Sequence, residues 1–121
     1  MIARKFALAL TATTLMAGTA FAQGALVEVN DSVQVAPFNV DADTVDDWDV
    51  YTADGKEVGE VEEVVGTNAS TPTALVVEFD DDSGYGDRDV VIPLDQFTYK
   101  DNRLVLNADA NAVGKMPTWD D

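Results

Sequence analysis

The chain has 121 residues, 23 Asp and Glu against 7 Lys and Arg, and neither His nor Cys, for a formal charge of −16. That length holds one domain. The missing Cys excludes disulfides, thiolate metal sites and cysteine nucleophiles, and the missing His excludes His-based triads and the commonest general base. The charge argues against nucleic acid and anionic lipid as partners, because both call for a basic surface.

Residues 1–22 read as a secretory signal peptide. Arg4 and Lys5 form a basic start, Phe6 to Phe21 carries no charge, and Ala20-Phe21-Ala22 has the small-x-small form of a cleavage site. A bilayer-spanning helix needs about 20 predominantly apolar residues, and this stretch is short for that and contains four threonines. Cleavage makes Gln23 the first mature residue and leaves five basic residues against all 23 acids, a net charge of −18. Stable membrane insertion is not expected after cleavage. The product is expected in the periplasm or secreted, where disulfides are permitted but not required.

Residues 23–47 form an acidic N-terminal arm. Leu26–Val29 and Val33–Val35 flank Asn30-Asp31-Ser32, the pattern of a small hairpin. The arm is either partly ordered, laying Val33, Val35 or Phe38 on the main domain, or a flexible linker.

Residues 48–119 read as five or six short strands. Asp49–Thr52 is followed by Asp54-Gly55, a hairpin signal of the type I′ turn, in which both central residues take positive φ. Lys56–Val65 is the return strand, with Gly59 at a bulge or a close strand approach. Thr73–Phe79 alternates, with Leu75, Val77 and Phe79 on one face and Ala74, Val76 and Glu78 on the other. After an acidic, glycine-bearing loop over residues 80–87, Asp89–Leu94 is a strand that Pro93 ends or places at an edge. Phe97–Tyr99 and Arg103–Leu106 make a second hairpin across Lys100-Asp101-Asn102. Asp109–Val113 is one helical turn stopped by Gly114. Trp48 and Trp119 are expected to cover the ends of a small barrel.

These segments resemble the PRC-barrel domain family. The carrying residues are Asp49-Val50-Tyr51 with Ala53-Asp54-Gly55-Lys56-Glu57-Val58-Gly59-Glu60-Val61, then Ala74–Val77, the glycine loop, Val90–Asp95 and Leu104–Pro117, in the family's order. The resemblance implies an all-β, SH3-like barrel. It also implies docking rather than catalysis, the role the domain plays in the reaction-centre H subunit and in a ribosome-maturation factor. The signal peptide matches the exported single-domain members of proteobacteria. This chain departs from the family where relatives often carry a Gly-Gly or Gly-x-Leu-Gly loop, since Asp80–Asp87 is acidic there.

Three groups of residues are candidates for function. Tyr85, with Gly84 and Gly86 shaping its loop, is the candidate partner contact, because Tyr is enriched at interface hot spots. Asp80, Asp82 and Asp87 offer hard oxygen ligands around a glycine turn and suit Ca²⁺, although on so acidic a chain a solvated loop is the plain reading. Asp54, Gly55 and Gly59 are structural turn positions. Glu60, Glu62 and Glu63 read as the wet face of a strand. No cofactor is implied. The expected function is a non-enzymatic module that binds a protein with a basic or mixed surface, with self-association also open. The alternative is a cation-responsive acidic protein using the Asp80–Asp89 loop and the acidic arm, where Asp41, Asp43, Asp46, Asp47 and Asp49 invite the same suspicion and the same plain reading.

Overall fold

The computed structural model describes residues 26–120, so the signal-peptide reading lies outside the described residues. Among these, β1 is Val27–Glu28, β2 Gln34–Val35, β3 Val40–Asp41, β4 Asp49–Tyr51, β5 Glu57–Asn68, β6 Thr71–Phe79, β7 Asp89–Pro93, β8 Phe97–Lys100 and β9 Arg103–Leu106. Two single-turn helices, α1 (Ala42–Val45) and α2 (Ala110–Val113), and a 3₁₀ turn over Leu94–Gln96 complete the set. The main sheet runs β7-β6-β5-β4-β9-β8, with β1 added to the far end of β5. It curls into a half barrel, the small all-β architecture expected from the strand pattern.

The alternation on β6 sets the two faces of this sheet. Leu75, Val77 and Phe79 join Val50, Val58, Val61, Val90, Ile92, Leu104 and Leu106 inside the barrel. Ala74 and Val76 point outward, yet they too are buried, with Val65, Val91 and Leu26 in a second cluster under Trp119. Trp119 therefore lies on the outer face rather than over a barrel opening. A Cβ on Gly59 would collide with the Glu78 carbonyl oxygen, so the strands cross closely at that point.

The arm is integral to the fold. Val35, Phe38, Ala42 and Val45 are buried in the main core. The expected hairpin between Leu26–Val29 and Val33–Val35 does not form. Instead β1 pairs with β5 and β2 pairs with β3. The runs part because Leu26 and Val35 bury on opposite faces of the main sheet, so β1 takes a distant partner and β2 a neighbouring one.

The type I′ turn expected at Asp54-Gly55 forms instead at the second hairpin. At Asp54-Gly55 only Gly55 has positive φ, at 92°, and its N–H donates to the Thr52 carbonyl at 2.9 Å. That is a three-residue loop ending in a left-handed glycine, with a register shift beside Tyr51. The Asp54 side chain instead takes the Thr52 hydroxyl. The turn with two positive-φ residues is Asp101-Asn102, at 54° and 64°, closing the Lys100–Arg103 pair. Asp and Asn tolerate this conformation better than other residues with a Cβ.

Candidate functional site

The glycine loop folds back onto the barrel. Asp80 donates its N–H to the Val58 carbonyl, Ser83 donates to the Asp80 carbonyl, and Ser83 is buried. Gly84 and Gly86 take φ of 89° and 90°. Between them Tyr85 turns inward. Its ring stacks parallel on Phe79, centroids 4.8 Å apart, and its hydroxyl donates to the Ala108 carbonyl at 3.4 Å. Burial pushes the phenol above its ordinary pKa, with the charges of Asp109 and Asp54 adding to the effect. Asp80, Asp82 and Asp87 are exposed around this loop.

The carboxylates that converge among the described residues are elsewhere, at Asp31, Asp43 and Asp46, whose oxygens lie within 4.8 Å of one another. Backbone bonds bring them together. Asp43 N–H donates to the Asp31 carbonyl at 3.0 Å, and Ala42 N–H donates to the Val33 carbonyl at 2.8 Å, tying α1 to the link between β1 and β2. Asp41 caps α1, accepting from the Thr44 N–H at 3.0 Å. Asp46 follows α1 and is half-buried, and its Oδ1 is sealed from solvent with no hydrogen-bond partner. Burial pushes the Asp46 carboxyl up to about 6, and Asp31, Asp43 and Asp47 push it the same way, against a backbone hydrogen bond from Val64. Such a group can share a proton or hold a hard cation.

The two edges of the sheet differ. The tail covers β7: Val90 bridges Thr118, Val91 N–H donates to the Pro117 carbonyl at 2.8 Å, and Trp119 N–H donates to the Asp89 carbonyl at 3.0 Å. Arg88 fastens the same tail through the Met116 and Val113 carbonyls and the Thr118 hydroxyl. No strand pairs with the outer edge of β8 among the described residues. Beside that edge Tyr99 stacks on Trp48 at 4.2 Å, and Phe38 meets both rings edge-on.

Against this geometry, a family model for the PRC-barrel domain matches residues 39–113. The chain belongs to the PRC-barrel family. A search of curated proteins finds no match. The match takes in β3, α1 and every strand of the main sheet except β1, so residues 39–47, placed in the arm on sequence, fall within the PRC barrel. It stops at Val113. The covering tail and Asp31 lie outside the matched residues.

Sequence reasoning passed over Asp31 and Arg88. Asp31 stood only inside an expected turn, and its nearness to Asp46 depends on how the arm folds. Arg88 was counted only as a charge. Its position just before β7, on a chain with few cations, was the available signal.

Proposed function

We propose that this PRC barrel is a non-enzymatic docking module that binds another protein in the periplasm. The observation behind the reading is the difference between the sheet edges, one sealed by the chain's own tail and the other left open beside the Trp48–Tyr99 stack. An unpaired edge strand accepts an extended segment of a partner through main-chain hydrogen bonds, and neighbouring aromatic side chains add area and specificity. A barrel interior filled by Val, Leu, Ile and Phe supports docking over catalysis. The partner carries a basic or mixed surface, because the acidic chain repels acidic ones.

The test is in-cell photocrosslinking from Thr98, exposed on β8, with Ser70 at the β5–β6 turn as the control position. One dominant product from Thr98 alone, weakened by salt in vitro, is the expected result. Equal capture from both positions, or a complex that tightens steadily with added NaCl, counts against the reading.

A second reading, cation response, has the convergence of Asp31, Asp43 and Asp46 behind it. Of the two acidic segments that reading draws on, the Asp80–Asp89 loop and the arm, the convergence favours the arm. The reading requires that millimolar Ca²⁺ raise the melting temperature more than NaCl of equal ionic strength. Equal melting temperatures sink it.

A further inference from the structure

The basic residues of this acidic chain are not evenly spread. Of the five among the described residues, Lys56, Lys100 and Arg103 sit at one pole, on the β4–β5 and β8–β9 turns. There Tyr51, Thr52, Ala53, Lys100, Arg103 and Val105 line an open hollow of about 210 Å³. Its floor follows from the topology, because β4 and β9 run parallel with Tyr51 opposite Val105. Its cations follow from the two-residue turn, which places Lys100 opposite Arg103.

The Arg103 guanidinium lies over the Tyr51 ring, 4.6 Å from its centroid. Stacking of this kind holds the planar fork in place while leaving its edge N–H groups able to donate. Arg88, by contrast, spends its donors on two carbonyls and a hydroxyl of its own chain. The nearby acids offset only part of the charge: Asp101 also lines the hollow and Asp54, accepting from the Thr52 hydroxyl, stays ionised, two carboxylates against Lys56, Lys100 and Arg103.

We propose that this hollow binds a small organic carboxylate, its carboxyl group held by Arg103 and Lys100 and its apolar body set against Val105 and Ala53. A guanidinium fork matches a carboxylate through two parallel hydrogen bonds. The size of the hollow, below the ~300–1,000 Å³ of sites for drug-sized ligands, selects a small molecule. The surrounding negative charge excludes polyanions and favours a ligand with a single charge. The inference does not depend on the docking reading, since the hollow is built on Tyr51, Arg103 and Val105 and meets the β8 edge only through Lys100.

The experiment is an amide NMR titration of the mature protein with benzoate, with NaCl holding ionic strength constant and benzamide as the neutral analogue. Saturable shifts confined to Tyr51, Thr52, Ala53, Arg103 and Val105 are expected with benzoate and not with benzamide. Arg103→Gln is expected to weaken binding about tenfold, the loss of one charge-assisted pair. Lys100→Gln, on an exposed turn, is expected to weaken it less and serves as the second variant if Arg103→Gln misfolds. Equal shifts with benzamide, shifts that never saturate, or unchanged affinity in the folded variants would overturn the proposal.

Discussion

The indole Nε1 of Trp119 donates to the Glu63 carboxylate at 3.0 Å, fastening the chain's tail across the outer face of β5. Beneath the ring lie Leu26, Val65, Ala74, Val76 and Val91. A half barrel with apolar residues on both sheet faces needs such a cover, because an exposed apolar patch invites association. Trp119→Ala should therefore cost about 2 kcal/mol, less than loss of a fully buried Trp since this one is half-exposed. It should also raise binding of a hydrophobic dye. Urea melts and dye fluorescence check both. Unchanged stability with no added dye binding would mean that the tail is not a seal.

The alternation of Leu75, Val77 and Phe79 made the inner face of β6 legible, but not the burial of Ala74, Val76 and Val91 on the other face. Nor was the cover legible, since Trp119 reaches β5 only through the tail's bonds to β7. The helical turn α2 was legible because its cap is local, whereas α1 was not read from the acidic arm. Asp109 accepts from the Ala112 N–H at 2.9 Å, and Gly114 closes α2. Strand partners of the arm were not legible, because β1 pairs with the distant β5, which frees β2 to turn back on β3. The acidity of the arm was equally plain in the sequence. Which carboxylates meet was not, because the meeting of Asp31 with Asp43 rests on one backbone bond between segments.

Arg88 is the other anchor of the tail. Its Nη2 donates to Val113 O at 3.1 Å, and its Nη1 to Thr118 Oγ1 at 2.9 Å. A lysine keeps the charge but not the fork, so Arg88→Lys should not restore the arrangement. Hydrogen exchange of the Val91 and Trp119 amides, which bond across the tail, should speed up about tenfold or more, while β5 and β6 amides stay protected. Uniform acceleration across the sheet would point instead to global destabilisation.

Gly66 faces the Thr71 carbonyl so closely that a Cβ would overlap it. Backbone cannot yield there as a flexible side chain would, so Gly66→Ala should cost about 3 kcal/mol, the upper end for overpacking. Gly84 has open space around it but a φ of 89°, so Gly84→Ala should cost about 1–2 kcal/mol from conformation alone. Denaturant midpoints of the two variants test the order. A Gly84 variant less stable than the Gly66 variant would contradict it.

Asp46 gives the fold a pH dependence of definite sign. Its carboxyl stands at about 6 in the folded chain against an ordinary 3.8, raised by burial first and then by Asp31, Asp43 and Asp47. Between those values the folded state binds more protons than the unfolded state, so stability rises as pH falls. The gain is complete below about pH 3.8 and is lost as pH climbs through about 6. With allowance for solvent screening at a half-exposed group, it amounts to about 1 kcal/mol. Asp41 and Asp54 act oppositely. Their carboxyls are held low, by Thr44 and by the Thr52 hydroxyl respectively, so their contributions vanish on stronger acidification. Acid also relieves the repulsion of the whole acidic chain, but equally in wild type and variant. The difference between wild type and Asp46→Asn therefore isolates this site. The variant should be the more stable by about 1 kcal/mol at pH 7.5, with the advantage gone near pH 4. Urea melts at pH 7.5, 5 and 4 measure it, and a wild-type-to-variant difference that stays constant across that range would show that Asp46 does not titrate there.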